Sequence, residues 1–345
     1  MAFSKILIRA TNWVGDAVMS LPAIRAIRER FPEAHITLLA RPWVADVYAR
    51  EKSIDRVIRY DAASGARDWW TKWRLARSLR TEKFDCAILL QNAFEAAMIA
   101  WLAGIPRRIG YARDGRGPLL TDRVPVPKTG EIPRHQRFYY LELLRRAGII
   151  DQIPSTPEIC LEGRDAAAGD GVSLFKHMSI TLPVVGVSPG AAYGSAKRWL
   201  PERFAQAAVE VARIRSGSVA LFGSAGERPL CADMAAAIEL EGIAARNLAG
   251  ETTLGEFIVL AAACCVFLTN DSGAMHIASA LGVPTVAVFG ATDETATGPT
   301  GSHARVIRQT VECSPCLLRE CPIDHRCMTR IGAEHVTQVA LELTH

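Results

Sequence analysis

Residues 269–290 read TNDSGAMHIASALGVPTVAVFG, and this stretch decides the fold class of the chain. The apolar run at 258–268 ends as a buried strand, and residues 285–289 predict a second buried strand. Between these strands, the turn at 270–273 begins a helix that Gly282 ends. A strand, a helix and a second strand in this order predict a parallel sheet of the α/β class.

The turn in this stretch has the composition of a helix start that can bind phosphate. Asp271 or Ser272 can accept hydrogen bonds from the free N–H groups of the first helical turn, which makes each a candidate cap. The same N–H groups and the positive end of the helix dipole also favour a phosphate. His276 follows about one turn later, where it can face the same ligand or pack inside the protein. These residues alone leave both interpretations open.

Length and composition predict a globular protein with two domains. The 345 residues are enough for two domains of ordinary size, and a hydrophobic content of 49% supports substantial cores. A net charge of +4 is too small to indicate nucleic-acid binding by itself. We expect an N-terminal domain at 1–165 and a C-terminal domain at 166–345, with a last helix at 334–343 that can pack back on the N-terminal domain.

The N-terminus and the cysteines indicate the compartment. Residues 1–10 have no apolar core of signal-peptide length, and no apolar run reaches the ~20 residues of a membrane span. We therefore expect a cytoplasmic protein, in which cysteines serve as thiols or metal ligands. A cluster with the pattern C-x2-C-x4-C-x5-C is compact enough for a structural zinc site, with free thiols as the alternative. Its members are Cys313, Cys316, Cys321 and Cys327.

A loop in the first half of the chain carries a candidate catalytic base. A strand at 5–9, the loop at 10–16, a helix at 17–31 and a strand at 35–39 form a predicted βαβ unit. The loop contains one glycine and no GxGxxG pattern, which argues against a nicotinamide site. Asp16 ends this loop, at the edge where open α/β sheets bind ligands, so it is either a helix cap or a general base.

Two further loops of small residues follow predicted strands in the second half. SPGAAYGSAKRW at 188–199 reaches its first lysine, Lys197, near its end, and it lacks the spacing of a P-loop. FGSAGE at 222–227 ends in a carboxylate that can bind a ribose or a base. Together with the turn at 269–276, these loops converge on one edge of a parallel sheet, which favours a nucleotide in the second domain.

Two basic stretches in the first half are candidates for binding an anionic partner. Residues 67–83 predict a helix that carries three tryptophans and six arginines or lysines. Residues 107–137 contain eight basic and three acidic residues. An anionic lipid surface or a phosphorylated substrate fits such a face. The alternative is an ordinary solvated face whose tryptophans pack in the core.

The combined motifs resemble glycosyltransferase family 9, the ADP-heptose:lipopolysaccharide heptosyltransferases. The resemblance covers nearly the whole chain and rests on TNWVGDAVMSLPAIRAI (11–27), SPGAAYGSAKRW (188–199), FGSAGE (222–227) and NDSGAMHIASALGVPTVAVFG (270–290). It implies a GT-B architecture, in which two Rossmann-like, doubly wound parallel-sheet domains face each other across a cleft. The N-terminal domain then binds the acceptor and the C-terminal domain binds the ADP-sugar. It also implies inversion at the anomeric carbon without a metal or another cofactor, in line with the lack of a DxD triplet.

The resemblance also implies roles for individual residues. The catalytic aspartate of the family falls on Asp16, and its diphosphate-binding lysine falls on Lys197. The implied ADP-binding residues are Ser188, Gly190, Lys197, Gly223, Ser224, Glu227, Asp271, Ser272, Gly273 and His276. The implied acceptor-binding residues are Asn12, Trp13, Arg67, Lys72, Arg74, Arg113 and His135.

The reaction that the resemblance implies is heptose transfer from an ADP-heptose to the first heptose of a lipid A–Kdo acceptor. We expect the enzyme to act as a monomer at the cytoplasmic face of the inner membrane, without nucleic acid. Another nucleotide-sugar enzyme of the same fold, such as an epimerase, is one alternative. A zinc-containing nucleic-acid-binding protein is the alternative from another class, and it would use the cysteine cluster and the basic helix.

Overall fold

A computed structural model describes residues 3–61 and 66–344, except for the side chains at positions 66 and 67. The chain divides into two compact units, Met1–Ile159 and Cys160–His345. Each unit has its own parallel sheet and its own buried core.

The N-terminal unit is a doubly wound sheet of six parallel strands. The strands are β1 (Lys5–Arg9), β2 (His35–Ala40), β3 (Arg56–Arg59), β4 (Cys86–Leu89), β5 (Arg107–Tyr111) and β6 (Asp122–Val124). The helices are α1 (Val14–Met19), α2 (Leu21–Arg30), α3 (Pro42–Ala45), α4 (Ala66–Glu82), α5 (Phe94–Leu102) and α6 (Gln136–Arg146). The strand order is β3-β2-β1-β4-β5-β6, and every neighbouring pair is parallel.

The central strands of this unit are apolar on both faces because helices cover both sides of the sheet. Ile6, Leu7 and Ile8 of β1 are all buried, without the alternation of a half-exposed strand. On one side, Leu7 packs in a cluster that includes Leu79 of α4 and residues of α5. The sheet therefore holds the loop after β1 on a rigid base.

The prediction of a single helix at 17–31 was wrong in one respect, because the structure has two helices there. α1 begins three residues earlier, at Val14, and Ser20 separates it from α2. Pro22 stands at the start of α2, where its missing N–H costs least, and the Ser20 hydroxyl donates to the Ala17 carbonyl at 2.8 Å. This break places Asp16 in the first turn of a six-residue helix.

The C-terminal unit repeats the same design. Its strands are β7 (Val184–Ser188), β8 (Ser218–Leu221), β9 (Ala245–Asn247), β10 (Cys264–Asn270), β11 (Thr285–Phe289) and β12 (Ala304–Arg308). Its helices are α7 (Arg164–His177), α8 (Pro201–Arg215), α9 (Arg228–Leu240), α10 (Leu254–Ala262), α11 (Gly273–Ala280), α12 (Glu294–Thr297), α13 (Arg326–Thr329) and α14 (Ala333–Leu343). The parallel strands are ordered β12-β11-β10-β7-β8-β9.

The last helix, α14, belongs to the core of its own unit. Val336 and Ala340 are fully buried in a cluster with Phe204 and Ala208 of α8. The expected return of this helix to the N-terminal domain stays a prediction.

Both sheets change direction of strand order at one point, between β1 and β4 and between β7 and β10. Open α/β sheets bind ligands beside the carboxyl ends of the strands at such a switch point. The predicted α/β architecture of two Rossmann-like units is thus confirmed. The loops that follow these four strands are therefore the expected places for a ligand. No helix within the described ranges combines the length and apolar content that crossing a membrane requires.

Candidate functional site

At the switch point of the N-terminal unit, the loop after β1 leads directly into α1. Trp13 is the N-cap residue of α1, and it caps the helix without a side-chain hydrogen bond. Asp16 lies in the first turn, but its carboxylate does not serve as the cap that the sequence allowed. The side chain is instead available for another partner.

That partner is a tyrosine from the other end of the unit. The Tyr140 hydroxyl on α6 donates to Asp16 Oδ1 at 3.0 Å, and the tyrosine is buried. Burial raises the pKa of Asp16 above its usual value, and the hydrogen bond from Tyr140 lowers it in part. A half-buried carboxylate with raised basicity is suited to accept a proton from a hydroxyl group.

Two exposed tryptophans, Trp13 and Trp43, lie at the loop that leads to Asp16. The Trp43 indole N–H donates to the Asn12 carbonyl at 2.8 Å, while Arg9 donates to the Asn12 side-chain oxygen at 2.9 Å. Trp13 is 66% exposed and Trp43 is 52% exposed. The backbone and the side chain of Asn12 are therefore each held by one hydrogen bond, and the two exposed indole rings offer apolar surface that a sugar ring can contact. Trp43 was missed in the sequence because it follows β2, outside the quoted motifs.

The other predicted acceptor residues have different surroundings. Lys72 contacts Asp68 at 2.6 Å and Glu95 at 2.9 Å, so two carboxylates already neutralise it. His135 is the N-cap of α6, where its Nδ1 accepts from the Arg137 N–H at 3.2 Å. This cap gives His135 a structural role.

Arg113, Arg74 and Arg67 complete the predicted acceptor set. Arg113 lies near Asp114 at 3.4 Å and near the Tyr139 hydroxyl at 3.5 Å. Arg74 is exposed on α4. The side chain of Arg67 lies outside the described residues, although its backbone belongs to α4.

The tryptophans of α4 do not pack in the core. Trp69 and Trp70 are exposed by 53% and 62%, and Ala76 and Leu79 form the buried side of the helix. The alternative in which the tryptophans of this helix pack in the core is therefore wrong for Trp69 and Trp70. α4 instead presents aromatic rings and arginines on its exposed side.

At the switch point of the C-terminal unit, one buried asparagine holds the loop that carries Lys197. We call residues 189–199 the lysine loop. Asn270, the last residue of β10, accepts from the Trp199 N–H at 2.9 Å and donates to the Pro189 carbonyl at 2.7 Å. Both ends of the lysine loop are thus fixed to the neighbouring strand. Asn270 is fully buried, and the only signal for it in the sequence is a polar residue at a strand end.

Lys197 is paired inside this unit. Its Nζ lies 2.5 Å from Asp271 Oδ2 and 4.9 Å from the centre of the Tyr193 ring. The Thr292 hydroxyl donates to the same Asp271 oxygen at 2.6 Å. Asp271 therefore orients the lysine and does not cap the helix, which corrects one of the two interpretations of this residue.

The start of α11 has no side-chain cap among the described residues. Ser272 is its N-cap by backbone geometry, and Gly273 is the first helical residue. The N–H groups of the first turn therefore remain directed at the switch point, where a helix dipole favours an anion. His276 is buried within the same helix.

The Glu227 side chain forms hydrogen bonds within its own loop, residues 222–227. Its Oε2 accepts from the N–H and the hydroxyl of Ser224, at 2.8 and 2.9 Å, in a capping box. Its Oε1 lies 3.9 Å from Arg198 on the lysine loop. The carboxylate therefore bridges two of the predicted donor loops.

Gly190 lies against this carboxylate. A Cβ atom at position 190 would be 1.8 Å from Glu227 Oε1, and one at Gly223 would be 3.1 Å from the Cβ of Glu227. Ser188, just before, ends β7 and is buried. The small residues of both loops thus allow the close approach of Glu227.

Gly190→Ala is expected to break this contact. Because Glu227 must turn away, the Ser224 capping box is lost, which costs roughly 1 kcal/mol of stability, and ADP binding weakens about tenfold. Thermal unfolding and ADP titration measure the two effects. Gly226→Ala is the matched control, since the nearest atom to its new Cβ is 3.9 Å away. Equal ADP affinity in Gly190→Ala and the unchanged chain would contradict this account.

A segment rich in cysteine supports the lysine loop from the other side. We call residues 313–327 the cysteine segment. Its Arg319 carbonyl accepts from the Ala196 N–H at 3.0 Å, and His325 Nε2 lies 3.0 Å from the Ala196 carbonyl. The Tyr193 hydroxyl donates to the Leu317 carbonyl at 2.7 Å. The segment therefore fixes the backbone beside Lys197.

The four cysteines of this segment line one cavity, and all are free thiols. In the part of the chain that the structure describes, no group of three or more His, Cys, Asp or Glu side chains is placed to hold a metal ion. The structural zinc site that the spacing allowed and the alternative of free thiols both stay predictions.

Comparison with known proteins gives a consistent result. The sequence profile of glycosyltransferase family 9 (heptosyltransferase) matches residues 72–326. Lipopolysaccharide heptosyltransferase 2 of Escherichia coli is 35% identical over 311 residues, which cover 88% of each chain. Lipooligosaccharide heptosyltransferase 2 of Haemophilus influenzae is 34% identical over 313 residues, again with 88% of each chain covered.

Solved structures have the same fold. The structure of E. coli ADP-heptose lps heptosyltransferase II matches with a TM-score of 0.83 at 30% identity, covering 99% of this chain and 98% of that one. A glycosyl transferase family 9 structure from Veillonella parvula matches with a TM-score of 0.84 at 22% identity, covering 99% and 97%. The second match, at its lower identity, supports the fold alone.

Proposed function

Because this chain belongs to glycosyltransferase family 9, the heptosyltransferases, we propose that it transfers a heptose from ADP-L-glycero-D-manno-heptose to the first heptose of heptosyl-Kdo2-lipid A. The chain is a glycosyltransferase, and its relatives named heptosyltransferase 2 support the substrate pair. The observation that carries the proposal is the pairing of Lys197 with Asp271 beside an uncapped helix start, at the switch point of the C-terminal sheet.

In this proposal Asp16 is the general base. As the acceptor hydroxyl oxygen forms its bond to the anomeric carbon, the bond from that carbon to the diphosphate oxygen breaks with inversion. Asp16 Oδ2 takes the hydroxyl proton, and ADP leaves with the electron pair. A carboxylate is a weak base toward an alcohol, so proton transfer comes late, when the new C–O bond is largely formed.

In the same proposal the C-terminal unit stabilises the leaving group. Lys197 and the N–H groups at the start of α11 supply positive charge where negative charge develops on the diphosphate. Glu227 and the small residues of its loop accommodate the ribose or the adenine. The reaction uses no metal in this scheme, because the lysine and the helix start provide the charge.

The acceptor is a glycolipid with carboxylates and phosphates. We assign its sugar rings to the surface formed by Asn12, Trp13 and Trp43. The exposed tryptophans and arginines of α4 suit an anionic lipid surface, because the rings enter the interface while the guanidinium groups meet the head groups. The enzyme then works as a monomer, peripheral to the cytoplasmic face of the inner membrane.

The donor assignment predicts micromolar ADP binding that is stronger than UDP binding and persists in EDTA. Calorimetric titration of the purified protein measures both affinities, and a transfer assay with ADP-heptose and heptosyl-Kdo2-lipid A tests the product. Stronger UDP binding would leave the fold intact and refute the ADP-sugar assignment. ADP binding without any heptosyl transfer would refute the acceptor and retain the nucleotide site.

A further inference from the structure

The hydrogen bond from Tyr140 to Asp16 has a role beyond stability. We propose that Tyr140 is the positioning residue of Asp16: it fixes one carboxylate oxygen so that the other faces the acceptor hydroxyl. This inference rests on the proposed function, in which Asp16 is the base. The sequence gives no local signal for it, because 124 residues separate the two side chains.

The tyrosine itself is held firmly. Tyr140 lies in the middle of α6, a helix that packs on α1 and α2, and its side chain is buried. Its ring meets the Tyr139 ring edge-on at 5.9 Å, and the Tyr111 hydroxyl donates to the Tyr139 carbonyl at 2.7 Å. Because α6 is fixed by these contacts, the Tyr140 hydroxyl has a fixed position from which to donate.

The two oxygens of Asp16 differ as a result. Oδ1 accepts the Tyr140 hydrogen bond at 3.0 Å. Within residues 3–61 and 66–344, no protein donor bonds to Oδ2. A hydrogen bond to one oxygen fixes the orientation of the carboxylate, so the lone pairs of the other oxygen, Oδ2, point in one direction. A general base needs this orientation in order to lie within hydrogen-bond distance of the proton that it accepts.

The titratable groups that surround Asp16 carry no charge at neutral pH. Among the residues that the structure describes, these groups are Tyr140 on α6 and Tyr48, which follows α3, and both interact with Asp16 electrostatically. Burial raises the pKa of Tyr48 to about 12 and raises the pKa of Tyr140 well above its usual value. Both tyrosines are therefore neutral while Asp16 titrates, and Tyr140 donates its proton throughout.

Tyr140→Phe tests the inference with the full chain. We expect kcat for heptosyl transfer to fall about tenfold, because the base loses its fixed orientation. The acidic limb of the pH profile moves to higher pH by roughly half a unit to one unit, because the donor that lowered the pKa of Asp16 is gone. ADP affinity, measured by titration, stays unchanged.

The control is Thr285→Val in the C-terminal unit, which also removes one buried hydroxyl, here one that donates to the Val283 carbonyl at 2.7 Å. It should cost similar stability and leave the acidic limb in place. If Tyr140→Phe keeps both kcat and the acidic limb of the unchanged chain, the positioning role is refuted. A full-rate Asp16→Asn variant would instead refute the proposed base itself, so the two failures are distinguishable.

A second measurement covers the case in which Tyr140→Phe does not fold. Replacing Tyr140 with 3-fluorotyrosine keeps the ring and makes the hydroxyl a stronger donor. The acidic limb is then expected to move to lower pH, since a stronger donor stabilises the Asp16 carboxylate further. An unchanged acidic limb in a folded, ADP-binding variant would overturn the inference.

Discussion

Asp16→Asn is expected to lower kcat for heptosyl transfer by roughly 10²- to 10⁴-fold, while ADP affinity stays unchanged. Asparagine keeps the shape of the side chain and can still accept from Tyr140, but it cannot take a proton from the acceptor. The loss therefore falls on the chemical step. Single-turnover rates and ADP titration measure the two quantities.

The control for this variant is Asp46→Asn in the same unit. Asp46 pairs with the exposed Arg59 at 2.5 Å and has no part in the proposed chemistry, so its loss should leave turnover near normal. Near-normal turnover in Asp16→Asn would remove this residue from the mechanism.

At neutral pH, the Asp16→Asn variant should be at least as stable as the unchanged chain. Burial raises the pKa of Asp16 in the folded chain, so ionising this carboxyl costs more there than in the unfolded chain. The charged form therefore destabilises the fold above the unfolded pKa, and this penalty disappears as the pH falls below it. Chemical denaturation at neutral and acidic pH tests the sign. A base that lowers stability is a common feature of catalytic sites.

Lys197→Ala is expected to weaken ADP binding roughly 30-fold or more, equivalent to ~2 kcal/mol. The variant loses the cation that we assign to the diphosphate, and it leaves the buried Asp271 carboxylate without its ion-pair partner. An unpaired carboxylate beside a diphosphate repels it, so the two effects act in the same direction. Calorimetric titration with ADP measures the result.

Two companion variants separate the effects of Lys197→Ala. In the double variant Lys197→Ala/Asp271→Asn, the repulsion is gone, and part of the ADP affinity should return. Lys176→Ala on α7 removes an exposed lysine of the same unit and should leave ADP affinity unchanged. Unchanged affinity in Lys197→Ala would show that the diphosphate binds elsewhere.

The repeated strand–helix units could be predicted from local sequence. Apolar runs followed by Gly, Ser, Asn and Asp marked the strand ends of β7 and β10, and the ligand edge of a parallel sheet follows from that order. The break between α1 and α2 at Ser20 was harder to predict, because a proline near the start of a helix is also compatible with an unbroken helix.

Side-chain partners could not be predicted in the same way. Asp271 has the local chemistry of a helix cap, yet it pairs with Lys197, 74 residues away in sequence. His135 has the chemistry of an anion ligand, yet it caps α6. Such choices depend on which polar groups the packed sheets bring within 3 Å, and local periodicity contains no information about them.

If Lys197 binds the diphosphate as we propose, its ion pair with Asp271 also affects how fast a nucleotide associates. With its counter-charge already 2.5 Å away, the lysine projects little electric field into solution. Long-range attraction of the nucleotide is then weak, and association depends on contacts made after entry. Ionic strength should therefore change the association rate of ADP only slightly, and stopped-flow mixing at low and high salt measures this rate.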